Sequence, residues 1–220
     1  TFLGSDTETL RLSNNIMSIW LECTNPNLMS KQHMIHCGIS TINMFTGESN
    51  LFQYSVPFDI NPTTFDELDR IVTTSAPSEV IIISNFEVET RKKILQYISI
   101  PSNTTIHNIQ CDDIRAVNST KQTYINEILS NVFGSETFST CYEFQENIFA
   151  TQALCFLLNF VQEHNPDLIR KISLPSLLNT SYRVIMANHT LMQLNIIDDK
   201  SNLFHVSRRL TSVTNFLNRC

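Results

Sequence analysis

Glycine is scarce in this chain of 220 residues: four in all, at positions 4, 38, 47 and 134, beside seven prolines. Spaced so widely, the glycines exclude a glycine-rich phosphate loop. No Gly-x-x-x-x-Gly-Lys-Ser/Thr stretch and no Gly-x-Ser-x-Gly nucleophile elbow occurs. Concentrated positive charge is lacking too. Fifteen Lys and Arg against 21 Asp and Glu give a formal net charge of -6, and the basic residues are scattered. Phosphate-backbone binding needs basic side chains gathered on one surface. The only run of three, Arg91-Lys92-Lys93, reads as the solvated face of a helix. No apolar run approaches the ~20 residues of a membrane span. The six cysteines, at 23, 37, 111, 141, 155 and 220, include no Cys-x-x-Cys pair, so the close ligand pairs of a zinc site are missing. Cys155 falls in an apolar helical stripe and reads as a reduced, packed thiol. Sequons at Asn103, Asn118, Asn179 and Asn188 could suggest a secreted glycoprotein. The chain is rich in Asn, Ser and Thr and shows no signal peptide, so chance is the better account.

What is present is enough apolar material for a core: 42% hydrophobic residues, with 14 Phe. Residues 1–14 are polar. Residues 15–23 mix β-branched and aromatic side chains and predict a strand. Strand-like runs follow at 34–44 and 51–56, joined through Thr46-Gly47-Glu48-Ser49, where Gly47 supplies the positive φ that a hairpin connection needs. Pro62 and the capping-box spacing of Thr64-Phe65-Asp66-Glu67 predict a helix over 63–74 with Phe65, Leu68, Ile71 and Val72 inward. Val80–Ile83 is a continuous apolar run suited to a strand covered on both faces. A helix at 87–98, a strand near 104–109 and a helix at 120–133 complete the first part. Antiparallel strands followed by alternating helix and strand indicate a mixed sheet flanked by helices, compatible with an RNase H-like α/β domain.

Beyond residue 140 no strand of that kind is expected. Residues 144–163 predict one long amphipathic helix with Phe149, Ala153, Phe156, Leu157, Phe160 and Val161 in a single stripe, leaving Gln152, Asn159 and Glu163 exposed. Shorter helices follow at 189–197 and 203–219. The fold class expected is therefore α/β followed by an all-α segment. A boundary near 135–143 divides the chain into a polar segment 1–14, a domain 15–138 and a helical segment 139–220. The chain opens on Thr1 and stops at Cys220 inside an unterminated apolar pattern, which reads as a piece of something longer.

An RNase H-like order raises the question of nuclease chemistry, which needs clustered carboxylates to hold two metal ions. The first strand offers Ser18, Trp20 and Glu22, and the second Ser40, Ile42 and Asn43. Asp112-Asp113 is the only adjacent pair of aspartates before residue 198 and reads as an exposed loop. His33, His36 and Cys37 are close in sequence, but strand alternation points His36 and Cys37 to opposite faces. No residue is nominated as catalytic, cofactor-binding or metal-binding.

Several stretches resemble the MutS family of DNA mismatch-repair proteins, in the family's order. Asn14–Leu21 resembles the entry to its connector domain. Gly38–Glu48 is similar to the connector's "Gly-hydrophobic-…-Asp-x-x-Thr-Gly-Glu" hairpin, with Asn43 where Asp is usual. Glu67-Leu68 and Ala76–Ile82 resemble the connector helix and its "Pro-x-Glu-hydrophobic" strand. Ala153–Val161 resembles the "Ala-x-x-x-Leu-Leu-x-Tyr" helix that opens the helical core. Met186–Ile196 is similar to "Met-Asp-x-x-Thr-x-x-Asn-Leu-Glu", with Ala187, Gln193 and Asn195 departing from it. Leu203–Asn215 resembles the next motif loosely, with Thr214-Asn215 in place of Met-Gly. The departures mark a divergent branch.

The resemblance implies a connector domain, RNase H-like without nuclease function, joined to the start of the core. It would transmit state between the DNA clamp and the ATPase. It implies no enzyme activity and no cofactor in this stretch, with ATP and Mg in the parent protein. Mismatched DNA would be bound through other domains, with a MutL-type protein as a further partner, and the full-length protein would be an intracellular homo- or heterodimer. Two rival readings stay open: an independent RNase H-like interaction module, and a metal-dependent nuclease with displaced carboxylates. Within this stretch, the hairpin Thr46-Gly47-Glu48 and the helix 144–163 are the elements expected to carry transmission.

Overall fold

In the computed structural model, which describes residues 14–24, 33–58 and 62–178, the β-branched stretch Asn15–Thr24 forms the central strand, β1. Its side chains are buried continuously from Ile16 to Leu21, because helices cover both faces. Strand β2 (Met34–Asn43) runs antiparallel to β1, and β3 (Ser49–Pro57) antiparallel to β2. A 3-10 turn at Pro62–Phe65 leads into α1 (Asp66–Ser75). Then β4 (Glu79–Ser84), α2 (Val88–Tyr97) and β5 (Thr105–Gln110) follow, with β4 parallel to β1 and β5 parallel to β4. The apolar run Val80–Ile83 is buried on both faces, as its lack of alternation requires.

Among the described residues the remaining elements are α3 (Ile114–Ser119), α4 (Gln122–Phe133), α5 (Thr137–Thr140), α6 (Tyr142–Glu146), α7 (Ile148–His164), α8 (Pro166–Ile169) and a two-residue strand β6 (Ser176–Leu177). The sheet has six strands in the order β5-β4-β1-β2-β3-β6. This is the mixed sheet with flanking helices that the order of elements led us to expect.

Two cores lie on opposite faces. On one, Met17, Ile19, Leu21, Ile35, Ile39, Val80 and Ile82 meet Leu68, Ile71 and Val72 of α1 and Ile94 of α2. On the other, Ile16, Trp20, Ile42, Ile81 and Ile83 meet α7, which is itself covered by Ala116 of α3, Ile125 and Leu129 of α4 and Phe144 of α6.

Several sequence expectations need correction. By contacts the chain divides into two compact units, Thr1–Asn179 and Thr180–Cys220, and the stretch 135–143 lies within the first. The described helices beyond that stretch belong to the layer that covers one face of the sheet. Residues 144–163 are not one helix: Asn147 leaves helical geometry and separates α6 from α7. The single stripe is also wrong. Every residue of α7 from Ala150 to Leu158 is buried, Gln152 included, and Phe160 is only half-buried. A helix with neighbours on all sides has no solvent face to mark. The helix expected over 63–74 opens as a 3-10 turn at Pro62–Phe65, and α1 begins at Asp66. Helix α3 was not foreseen; Asp113 starts it by accepting from the Arg115 backbone N–H at 2.9 Å. Strand β6 lies in the stretch where no further strand was expected. The helices expected at 189–197 and 203–219, and the polar segment before residue 14, lie outside the described residues.

Candidate functional site at the hairpin and the docked helix

The β2–β3 connection is built around the side chain of Asn43. Its Oδ1 accepts from the backbone N–H groups of Phe45 and Thr46, both at 3.0 Å. Its Nδ2 donates to Asn15 Oδ1 at 2.9 Å, and Asn15 Nδ2 in turn donates to the Ser75 carbonyl at 2.8 Å. A carboxylate could accept the two turn amides equally well, which is why Asp and Asn both suit the position. Only the amide can also donate to Asn15, so the departure at Asn43 is matched by a partner on β1. The turn closes with Gly47 N–H on the Asn43 carbonyl at 2.8 Å, and Gly47 has φ of +74°.

Gly47 is needed for a second reason. A Cβ there would overlap the backbone carbonyl of Lys171. The hairpin therefore sits against the segment that follows α8. The Gly47 carbonyl accepts from Ser173 N–H at 2.9 Å and from Ser173 Oγ at 3.2 Å. Ser49 Oγ donates to the Ser173 carbonyl at 2.7 Å. Further along, Ser176 Oγ donates to Asn50 Oδ1 at 2.7 Å, β6 pairs with Asn50 and Leu51, and Leu178 N–H donates to the Leu51 carbonyl at 2.8 Å. Residues 171–178 are thus fastened along the hairpin and the edge of β3. Ile172 and Leu174 also form one wall of an open groove of about 410 Å³ whose other wall includes Val132, Phe133 and Cys141.

The second element is the start of α7. At Gly38 a Cβ would collide with the backbone of Phe149 and Ala150, so the helix crosses β2 with its main chain nearly on the strand. The N–H groups of Phe149 and Ala150 donate to Gln53 Oε1 at 2.8 and 3.1 Å, which caps the N-terminus of the 17-residue helix from a neighbouring strand. Phe149 stacks on His36 with ring centroids 4.6 Å apart. His36 is held by Thr24 Oγ1 at 2.9 Å and Ser55 Oγ at 2.8 Å. Deeper in the helix, Arg115 lies over the ring of Phe156, 5.6 Å from its centroid.

The chemically suggestive residues occupy structural places. Ser18 and Ser40 are buried opposite one another under α7, and Trp20 Nε1 donates to Glu22 at 3.2 Å. His36 and Cys37 do point to opposite faces: His36 is on the α7 side, and Cys37 is in the core beneath α1. Asp112 is exposed, whereas Asp113 caps α3 and pairs with Arg115, whose hydrogen bonds hold its carboxyl below the usual range. Burial pushes the thiols of Cys37 and Cys155 up, keeping them neutral, and Cys111 is pushed up to about 12 by the same cause. Lys92 and Lys93 are exposed on α2. Among the described residues no three His, Cys, Asp or Glu side chains gather as metal ligands, and no helix is long and apolar enough to cross a membrane.

Sequence reasoning picked out Gly47 through its turn, and Gly38 and Asn43 as parts of a resemblance. It missed Gln53, Asn15, Ser173 and Ser176 altogether. Gln53 gave no local signal, since the amides that it caps lie 96 and 97 residues away.

No family model matches the chain. In sequence it is similar to a protein of Acanthamoeba polyphaga mimivirus assigned as a mutS homologue of DNA mismatch repair, with 23% identity over 228 residues covering 94% of this chain. That alignment takes in 20% of the viral protein, so the chain spans about a fifth of its relative's length. The chain is thus a distant relative of a MutS homologue.

Proposed function

We propose that residues 14–178 act as the connector module of a MutS-type mismatch-recognition ATPase, supplying no catalytic residue and relaying movement between other parts of that protein. The observation that carries the reading is the similarity over 94% of the chain to a mutS homologue. The residues of the family resemblance support it by where they stand. Gly38 underlies α7, Asn43 and Gly47 make the turn, and Ala153–Val161 is the buried helix. In this reading the hairpin is the grip on residues 171–178, which run on to Thr180–Cys220. A displacement of that segment must either carry the hairpin along or break its bonds to Gly47, Ser49 and Asn50. Mismatched DNA, ATP and Mg belong to other parts of the parent, and a MutL-type protein is the further partner.

The test uses the full-length parent. Basal ATP hydrolysis should rise with a mismatched duplex more than with a matched one. Gly47→Val, which cannot seat residue 171, should keep the basal rate and lose most of that stimulation. Unchanged stimulation in the variant would remove the hairpin from the relay. A parent that hydrolyses no ATP would defeat the MutS reading itself. Cleavage of DNA by the chain in Mg2+ or Mn2+ would instead revive the nuclease alternative.

A further inference from the structure

The two edges of the sheet are treated differently. Among the described residues the β3 edge is covered by the chain's own β6, whereas β5 pairs only with β4. Thr105 N–H donates to Ser78 and Cys111 N–H to Ser84, which fixes the parity of the parallel ladder. The odd residues of β5 turn their backbone groups to β4, and Ile106 and Asn108 turn theirs outward. Natural sheets guard such an edge with a charge, a proline or a bulge. Thr105-Ile106-His107-Asn108-Ile109-Gln110 has none of these, and its register with β4 is unbroken over all six pairs. Ile106 is 39% exposed, and Asn108 is exposed beside it on the same side of the strand. On the other side His107 is bonded to Glu79 at 2.6 Å and lies 5.5 Å from the ring of Phe160.

We propose that β5 accepts an extended segment of another protein as a seventh strand. The outward N–H and C=O groups of Ile106 and Asn108 present the alternating donors and acceptors that a main chain running alongside can pair. The partner segment should place a β-branched apolar residue opposite Ile106 and a polar one opposite Asn108. It should carry a basic residue at the end beside Asp112, which stands exposed just past β5 on a chain of net charge -6.

A second copy of this chain fits less well. A two-fold pairing of β5 with itself keeps like faces together. It therefore sets either His107 or Asn108 against its own copy, and Ile106 then meets Asn108 or Gln110, an amide in both registers. Five paired residues in either register also bury far less than the ~1,200–2,000 Å² typical of a stable interface. The edge chemistry is independent of the function proposed above.

The probe is the synthetic nine-residue peptide Lys-Thr-Val-Thr-Thr-Thr-Val-Thr-Lys, which sets Val and Thr two apart on one face, titrated into the 220-residue chain and followed by amide NMR shifts. Sub-millimolar binding is expected, with the largest shifts at Ile106 and Asn108. Asn108→Pro removes an outward N–H and leaves the β4 ladder intact. It should weaken binding about fivefold without lowering the melting temperature, because one main-chain hydrogen bond to the peptide is lost. Ile106→Lys should do the same by placing a charge on the edge, and replacing the terminal Lys of the peptide by Glu should weaken it further. Shifts centred elsewhere, variants that bind like the parent, or no binding would overturn the proposal. Concentration-dependent dimerisation abolished by Ile106→Lys would assign the edge to a second copy and overturn the partner.

Discussion

The two faces of the sheet reach burial by opposite means. Under α1 and α2 the strands present large side chains such as Met17, Ile19, Leu21, Ile39 and Ile82, and each helix answers with a narrow stripe while its other side meets solvent. Under α7 the strands set Ser18, Gly38 and Ser40 between the large Ile16, Trp20 and Ile42, and the helix answers the small residues with Ala150 and Ala153. Small residues on both partners bring backbone against backbone, so α7 sinks far enough for α3, α4 and α6 to close over it. One face is a single covering layer that side-chain volume holds off the sheet. The other is a buried helix held by shape and by a cap from Gln53.

The comparison is broken most severely at Gly38. Any side chain there must push α7 off β2, because the colliding atoms are main chain on both sides. Gly38→Val should cost more than about 4 kcal/mol and leave no cooperative thermal transition. Melting within a few degrees of the parent would show that the helix is free to shift. Next comes the interior of α7. Phe156→Ala should cost ~3–5 kcal/mol, the usual loss for a buried Phe. Asn159→Ala should be nearly silent, because Asn159 is half-exposed and bonds to the exposed Glu163 at 3.0 Å. Equal melting temperatures for the two would defeat this placement of the helix. Gln53→Ala comes third, at ~1–2 kcal/mol, the range for a lost N-cap. Hydrogen exchange should quicken first at Phe149 and Ala150, whose amides the glutamine holds.

The contrast also explains which parts could be read from sequence. Helix α1 was visible because its inward stripe of Leu68, Ile71 and Val72 alternates with polar residues. Strand β4 was visible because it lacks alternation. Both patterns record contact with the sheet or with solvent directly. Helix α7 misled because its partners are other helices as well as the sheet: Gln152, polar by type, is buried, and the extra layer lies within segments read as a separate domain. Of the site, Gly47 was legible through its turn. The residues that fasten 171–178 were not, since Ser49 and Ser173 lie 124 positions apart and are unremarkable where they stand.

The smallest expected effect has an unusual sign. Ser18 and Ser40 face each other across β1 and β2, fully buried beneath α7, and neither hydroxyl has a hydrogen-bond partner among the described residues. A buried hydroxyl without a partner costs about 1–3 kcal/mol of desolvation. The pair is therefore useful for size alone: a side chain small enough to let the helix down, carried at some loss of stability. Alanine is smaller still and brings no polar atom. Ser18→Ala and Ser40→Ala, singly and together, should leave the fold intact and raise the melting temperature slightly, by about 1 kcal/mol in stability. On the opposite face the same logic predicts the reverse. Trimming Leu68 to Ala opens a cavity where side-chain volume does the filling, at a cost of ~2–5 kcal/mol. If the serine variants instead lose stability, the hydroxyls have partners in solution, and the α7 face is held by hydrogen bonding as well as by close approach.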